Sequence, residues 1–404
     1  MAFEPLAGMR VLDLTSVVVG PVCTARLAQY GAEVIKLESP EGDLMRGLGG
    51  QSPTGQHSGT YLHLNRGKRN ICVNLKKPGA NLLVRRLVER ADIVVANMRP
   101  AALRKLGLDP ETILADYPDK VYCLITGYGS GGPYAGFPTY DSVVQAASGM
   151  SGLFLARDGK PAYVPMVVCD HVVGEIAAGV VLAAAIQQRA TGAGLLVEVP
   201  MFETMATFVL QEHLAQHSFE PPVGPAGDQR LLNAHNRPVQ TRDGWISFTI
   251  NTDKQVAAFL DATGRSALKD DARFNSVRAR ADNVVAWFEV RGAPLLTQTT
   301  AEWLTAFRAA DIAAMPCNNV EDLRRDPHLT AVSLFSAETH PTEGETVRMR
   351  SPILVNGVGD PAKAFAQPKG WETRGLTEEL GYSADEIEQM FGDGTLVAFA
   401  AEPD

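Results

Sequence analysis

A chain of 404 residues that is 45% hydrophobic and 21% charged has the composition of an ordinary globular protein, and its length suggests two domains. Its five cysteines are scattered without C-x-x-C spacing, which disfavours a zinc or redox motif and a disulfide framework and leads us to expect a reducing, cytoplasmic setting. The net charge of −9 and the shortness of the longest apolar run, residues 176–186, predict binding neither to bulk nucleic acid nor to a membrane.

In the N-terminal part of the chain, predicted strands alternate with predicted helices. The strands are residues 10–14, 32–38, 70–75, 92–98 and 121–126, and the helices are residues 21–30 and 79–91. Such alternation is typical of a doubly wound parallel sheet, so we predict an α/β fold. The first strand-to-helix turn, residues 15–21, has one glycine instead of the G-x-G-x-x-G fingerprint, which disfavours binding of NAD or NADP.

The same α/β unit continues to a linker rich in proline and glycine at residues 220–228. Before the linker, we predict helices at residues 140–150, 171–190 and 202–217 and a strand at residues 195–200. After it come a strand at 245–250 and helices at 254–263, 284–296 and 300–309, which together form a small α+β module. The last predicted elements are a strand at 347–354 and a capped helix at 383–390.

Positive charge is concentrated between residues 66 and 105, where eleven lysines and arginines face two acidic residues. A local basic segment on an acidic chain indicates a small polyanionic ligand. A solvated helix face explains part of it, namely Arg85, Arg86 and Arg90. It explains the residues at element edges less well, and these are Lys68, Arg69, Arg99 and Arg104.

Asp170 is a carboxylate within an otherwise apolar run, residues 164–173, that leads into a long alanine-rich helix. Burial of a carboxylate is costly unless the group is paired, hydrogen-bonded or used in chemistry. A position in the first helical turn also fits a simple N-cap, which would explain the residue type without any function.

Several strings in order along the chain resemble the class III CoA-transferases, the CaiB/BaiF family that includes formyl-CoA transferase. They are Val11-Leu12-Asp13-Leu14 through Gly20-Pro21, residues 31–38, Asn65-Arg66-Gly67-Lys68-Arg69-Asn70-Ile71, Asn97-Met98-Arg99-Pro100, Thr126-Gly127-Tyr128-Gly129 with Gly132-Pro133-Tyr134, residues 165–174, and Asn236-Arg237-Pro238 with Asp243-Gly244-Trp245. Their order makes the resemblance specific, and it covers nearly the whole chain.

The resemblance implies a Rossmann-like large domain formed by residues 1–219, to which residues 341–404 return, and a smaller α+β domain at residues 220–340. It also implies a homodimer of interlocked subunits. The implied reaction moves CoA from an acyl-CoA donor to a small free carboxylic acid, through an aspartyl anhydride and an aspartyl-CoA thioester. Neither a metal nor a tightly bound cofactor is required, since CoA enters as a substrate.

Within the resemblance, Asp170 matches the nucleophile, and Asn97, Met98, Arg99 and Arg104 match residues that contact the nucleotide part of CoA. By residue type, Lys68 and Arg69 are further candidates for its phosphates. Two more positions bear on the acid substrate. Tyr140 matches a tyrosine near the transferase site, and Val18 replaces a glutamine of formyl-CoA transferase, which favours a less polar pocket.

Two alternative functions remain on the sequence alone. An α-methylacyl-CoA racemase shares the fold, but its catalytic histidine falls in a G-H-D string, where this chain has Thr139-Tyr140-Asp141. A non-catalytic CoA-binding protein would keep the basic segment without needing Asp170. The chain also lacks the tetraglycine loop of formyl-CoA transferase, since Ala234-His235-Asn236-Arg237-Pro238 occupies that region.

Overall fold

Eleven strands form three sheets in the computed structural model, which describes residues 3–50, 52–359 and 364–399. The strands are β1 (Arg10–Leu14), β2 (Glu33–Glu38), β3 (Lys68–Cys72), β4 (Ile93–Ala96), β5 (Val121–Thr126), β6 (Leu195–Pro200), β7 (Val239–Gln240), β8 (Trp245–Thr249), β9 (Ala313–Pro316), β10 (Phe335–His340) and β11 (Gly344–Met349).

The first seven helices are α1 (Val19–Gln29), α2 (Gly59–Leu64), α3 (Ala80–Arg90), α4 (Pro100–Leu106), α5 (Pro110–Asp116), α6 (Asp141–Ala147) and α7 (Met150–Asp158). The next five are α8 (Val168–Thr191), α9 (Met201–His213), α10 (Asp253–Ala262), α11 (Val277–Asp282) and α12 (Val284–Gly292). The last five are α13 (Thr300–Ala309), α14 (Val320–Leu323), α15 (Pro327–Ala331), α16 (Thr373–Glu379) and α17 (Ala384–Gly392).

The large sheet has six strands in the order β3-β2-β1-β4-β5-β6, and every neighbouring pair is parallel. This order is that of a doubly wound Rossmann-type sheet, and the α/β prediction is confirmed. The central strands are apolar because helices cover both faces, and β4 is buried along its whole length. Strand β3 begins two residues earlier than predicted, because its pairing with β2 already starts at Lys68 opposite Val34.

The chain divides into two compact units. The first contains the described residues within 1–149, 163–208 and 331–404, and the second those within 150–162 and 209–330. These limits differ from the predicted domains 1–219, 220–340 and 341–404. The β10-β11 hairpin belongs wholly to the first unit, where Glu343 beside its turn accepts hydrogen bonds from Thr54 and bonds the His57 ring.

The second unit contains the antiparallel sheet β7-β8-β9, helix α7 and helices α10 to α14, as expected of an α+β module. Its core is aromatic. Phe248 of β8 stacks on Phe259 of α10 with ring centroids 5.3 Å apart, and Phe307 of α13 packs against both. The buried Trp303 also donates its indole N–H to the Leu295 carbonyl at 2.8 Å, which satisfies its polar group.

Helix α8 is longer than the apolar run noted in the sequence. By length and composition alone it could cross a membrane, and no other helix of the described residues meets that criterion. It packs against α1, α6, β5 and β6, and its buried side includes Val173, Ala177, Val181 and Ala184. A core helix with this composition meets the same criterion, so this observation gives no reason to change the prediction of a non-membrane protein.

Candidate active site

A crevice is expected at the carboxyl ends of β1 and β4, because the chain leaves these two neighbouring strands toward opposite sides of the sheet. Residues 15–18 follow β1 and residues 97–99 follow β4. Asn97 joins the two segments, since its Oδ1 accepts the Ser16 amide at 3.0 Å and its Nδ2 donates to the Ser16 carbonyl at 2.9 Å. The predicted nucleotide-binding string therefore lies where ligands bind in sheets of this kind.

The segment before α1 has an unusual backbone at Val17, whose φ is +70°. A β-branched residue in the left-handed region is a genuine outlier and costs about 1–3 kcal/mol. Buried charges hold it in place: the Val17 amide donates to Asp43 Oδ1 at 3.0 Å, and Asp43 Oδ2 pairs with Lys36 at 2.9 Å. Conformations of this kind cluster at functional sites, which supports a role for this loop.

Asp170 occupies the first turn of α8, with 8% of its surface exposed. It is not the N-cap, because that position belongs to Val167. Asp141 of α6 serves the turn instead: its Oδ1 accepts the amide protons of Cys169 at 2.7 Å and of Asp170 at 3.1 Å. Among the described residues, no group donates a hydrogen bond to the Asp170 carboxylate. Burial, and then the charge of Asp141, raises the pKa of Asp170 to about 7.

The start of α1 lies close to the same part of α8. A Cβ added at Gly174 would come within 2.6 Å of the Val19 carbonyl and 2.7 Å of Val22 Cβ, so only glycine permits this approach. Asp170 precedes Gly174 by four residues and therefore lies on the same face of α8. The nucleophile candidate thus lies on the face of α8 that packs against α1 at Gly174.

Three of the predicted nucleotide contacts directly follow β4, and the fourth lies in the next helix, α4. Asn97 and Met98 are half-buried, and Met98 packs on the core of the sheet. Arg99 is the N-cap of α4 and Arg104 lies in its last turn, and both are exposed. Neither arginine has an ion-pair or hydrogen-bond partner among the described residues, so both are available to an anionic ligand.

Lys68 and Arg69 lie in very different surroundings from those expected. Lys68 is 2% exposed, and its ammonium donates to Asp13 at 3.0 Å, Thr24 at 2.7 Å, Asn65 at 3.0 Å and the Pro21 carbonyl at 3.1 Å. Burial lowers its pKa to about 8. These contacts use every donor of the ammonium, so Lys68 anchors α1 and is not a phosphate ligand in this structure.

Arg69 is engaged as fully as Lys68. Its guanidinium pairs with Glu33 at 2.7 Å and with Glu372 and Glu379 at 2.6 Å. The partners are acids from β2 and α16, and the arginine ties the C-terminal part of the first unit to the sheet. We therefore remove Lys68 and Arg69 from the proposed CoA contacts.

The two residues expected to contact the acid substrate differ in their exposure to solvent. Val18 is 2% exposed and packs with Val22, Met45 and Tyr61, so its side chain fills the core and does not line a pocket. Tyr140, in contrast, is 65% exposed at the N-cap of α6. It directly precedes Asp141, whose carboxylate accepts the Asp170 amide, and this position keeps Tyr140 as a candidate for substrate binding.

Sequence reasoning missed Asp141 and Gln145, which hold the first turn of α8. In the sequence, Asp141 stands out only as the residue after Tyr140, at the position where the racemase has its G-H-D string. No local sequence pattern indicates that Asp141 of one helix caps another helix by accepting the Cys169 amide, 28 residues later in the chain. Among the described residues, no three His, Cys, Asp or Glu side chains are grouped to hold a metal ion.

Comparison with known proteins identifies several relatives. A model of CoA-transferase family III matches residues 6–373. Succinate–glutarate CoA-transferase of Agrobacterium fabrum is 33% identical over 87% of this chain and 90% of its own. (R)-2-hydroxy-4-methylpentanoate CoA-transferase of Clostridioides difficile is 28% identical over 98% of this chain and all of its own. A CaiB/BaiF family structure from Brucella suis superposes with a TM-score of 0.81 at 26% identity, covering 93% of this chain and 99% of its own.

Proposed function

The chain belongs to CoA-transferase family III and is a CoA-transferase, and we propose that Asp170 carries CoA between two carboxylic acids as a covalent nucleophile. One observation supports this role above all others. Asp170 is a buried carboxylate without a hydrogen-bond donor among the described residues, and it lies on the face of α8 that packs against α1. A purely structural acid would be expected to have a partner.

In the first half-reaction, an Asp170 oxygen attacks the thioester carbonyl of the donor. The C–S bond breaks, and the products are a mixed anhydride and CoA thiolate. The thiolate then attacks the Asp170 carbonyl carbon, the donor acid leaves as its carboxylate, and an aspartyl-CoA thioester remains. The acceptor carboxylate repeats these steps in reverse order, leaving as acyl-CoA and regenerating Asp170. Each step exchanges an acyl oxygen for a sulfur or the reverse, so no electrons are transferred.

The surroundings of Asp170 fit this chemistry in two ways. With a pKa of about 7, about half of the carboxylate is ionised near neutral pH and competent to attack. Burial also limits the access of water to the anhydride, which would otherwise hydrolyse.

We place the nucleotide part of CoA over the end of β4. Arg99 and Arg104 are exposed and unpaired among the described residues, and each guanidinium matches the geometry of a phosphate. Met98 supplies an apolar surface beside them, and Asn97 fixes the loop by its bonds to Ser16. The 3′-phosphate and pyrophosphate of CoA provide the charge that these arginines would neutralise.

We also propose a homodimer, because α8 and its neighbours expose apolar side chains along their outer surface. Ile176 and Val180 are 39% and 41% exposed and share one face of α8, while Ile186 is 70% exposed. Phe208 of α9 is 49% exposed. Large exposed apolar patches mark protein contacts in soluble proteins. Light scattering should report a dimer, and Val180→Lys should weaken it.

The function is tested with an acceptor acid labelled with ¹⁸O in its carboxylate. Relatives are named for dicarboxylates and 2-hydroxy acids, so both classes belong in the panel, with succinyl-CoA and acetyl-CoA among the donors. If Asp170 is the nucleophile, one labelled oxygen is left on it after each turnover, because the acid surrenders that oxygen to the aspartyl carboxylate. Mass spectrometry of the peptide containing Asp170 detects the label.

Asp170→Asn should abolish both transfer and labelling while retaining CoA binding. Asp109→Asn is the matched control, since Asp109 is a buried aspartate that caps α5 away from the crevice. New acyl-CoA without label on the Asp170 peptide would refute the nucleophile. Exchange of the α-proton of a 2-methylacyl-CoA, without any transfer, would establish a racemase instead.

A further inference from the structure

Asp141 and Gln145 form a buried pair on one face of α6 that reaches across to the start of α8. Asp141 is 6% and Gln145 1% exposed. One oxygen of Asp141 accepts the amides of Cys169 and Asp170, and the other accepts Gln145 Nε2 at 2.6 Å. The carboxylate is therefore held from both sides.

Gln145 fixes the chain that enters α8. Its Oε1 accepts the Val164 amide at 2.9 Å, and its Nε2 also donates to the Met166 carbonyl at 3.1 Å. The pair thus holds both the segment before the helix and the first turn itself. Because the Cα–Cβ direction of Asp170 follows from the backbone of that turn, the pair sets where the nucleophile points.

We propose that Asp141, held by Gln145, is a positioning residue for CoA transfer, which fixes the Asp170 carboxylate and places a negative charge beside it. This inference rests on the proposed role of Asp170 as the nucleophile. It goes beyond that role because a second acid, Asp141, then controls both the orientation and the protonation of the nucleophile.

An ordinary helix cap does not explain the arrangement. Asp109 caps α5 from the adjoining position and accepts the Thr112 amide three residues later, which is the usual local solution. Asp141 caps a helix that begins 27 residues after it. In doing so it brings two carboxylates together in a buried place, where their repulsion is costly. A neutral serine or asparagine would cap without that repulsion.

The charge of Asp141 acts on Asp170 more than that of any neighbouring group. The titratable groups on the elements packed against α8 are Cys23 and Arg26 of α1, Tyr122 and Cys123 of β5, Glu198 of β6 and Asp141, and those of α8 near its start are Cys169, His171 and Glu175. Arg26 is paired with Glu175, and Glu198 is bonded to Ser130. After burial, Asp141 is the group that raises the pKa of Asp170.

Two variants separate the role of the charge from that of the geometry. Asp141→Asn keeps an oxygen for the amides and removes the charge, so the acid limb of the kcat/KM profile should move to lower pH by roughly one unit. Gln145→Ala loosens the pair and leaves the charge, so kcat should fall roughly tenfold or more at every pH, with the acid limb close to its wild-type position. The KM for the CoA donor should change little in both.

Asp141→Ala combines both defects, and Asp109→Asn serves as the control whose kcat and acid limb should stay at their wild-type values. CoA binding and the urea midpoint of each variant show that it is folded. An acid limb of Asp141→Asn at the wild-type pH, or a kcat of Gln145→Ala equal to that of wild type, would overturn the inference. Labelling of Asp170 by ¹⁸O in the wild-type enzyme keeps the two failures distinct, because its absence would refute the nucleophile itself.

Discussion

Asp170→Asn should make the chain more stable above neutral pH while ending its activity. The pKa of Asp170 is raised from 3.8 to about 7, chiefly by burial and next by Asp141. Each unit of such a shift corresponds to about 1.4 kcal/mol, so ionising the folded carboxylate costs about 4 kcal/mol. The favourable effect of the α8 dipole on an acid in its first turn, about 0.3–1 kcal/mol, is lost in the variant and leaves a net gain of about 3 kcal/mol.

The sign of the pH dependence follows from proton binding. Between pH 3.8 and about 7 the folded chain holds a proton on Asp170 that the unfolded chain has released, so wild-type stability falls as pH rises through this window. Below it the contribution of the raised pKa is fully present, and above it that contribution is lost. Asparagine does not titrate, so the advantage of the variant should be largest above pH 7.

Urea unfolding of the wild type and Asp170→Asn between pH 5 and pH 8.5 measures the difference. We expect the gain to shrink by about 1.4 kcal/mol for each pH unit below 7. Asp109→Asn is the control with the opposite sign: burial raises the pKa of Asp109, but hydrogen bonds from Thr112 outweigh it and the net pKa is lowered. A variant no more stable than wild type at pH 8, or a gain that does not change with pH, would refute the reasoning.

Two further predictions concern the packing of α8 and the nucleotide site. Gly174→Ala should destabilise the chain by about 1–3 kcal/mol and reduce transfer, because the added Cβ would collide with Val19. In Gly179→Ala, a variant of the same helix, the added Cβ would meet nothing within 4 Å, and the chain should be stabilised by up to about 1 kcal/mol. Urea unfolding measures both effects. Arg99→Glu and Arg104→Glu should each weaken CoA binding roughly tenfold or more in calorimetry at low salt, and less at high salt, while Lys76→Glu in the same basic segment should not. Equal stability of the two glycine variants, or wild-type affinity of both arginine variants, would contradict these expectations.

The alternation of strands and helices was sufficient to predict the parallel sheet, because strand segments of four to six residues are separated by helical segments and by glycine and proline. It was less informative for short helices. Helices α4 and α5 have seven residues each and begin with Pro100 and Pro110. A proline in so short a segment resembles a turn in sequence, although it is well suited to the first helical position.

Site residues were predictable where their role depends on place along the chain, and unpredictable where it depends on a distant partner. Asp170 and Arg99 each follow a recognisable local pattern. Lys68 carries the same charge as Arg99, but its partner Asp13 is 55 residues away and buried on the inner strand β1. Composition reports that a charge exists, while only the folded contacts show whether that charge has already been neutralised.

Among the described residues, the charge that acts on Asp170 is that of another acid, Asp141, and this fits the covalent role proposed for Asp170. An arginine beside Asp170 would lower its pKa and recover most of the lost stability. It would also make the carboxylate a weaker nucleophile and occupy the space that the thioester needs in the proposed reaction. Asp141 does the reverse, because it fixes the backbone of Asp170 and leaves the Asp170 oxygens without a partner among the described residues. A carboxylate kept poorly stabilised in a buried place gains most when it becomes a neutral anhydride or thioester carbonyl, so in the proposed mechanism the cost of burying Asp170 favours the covalent step.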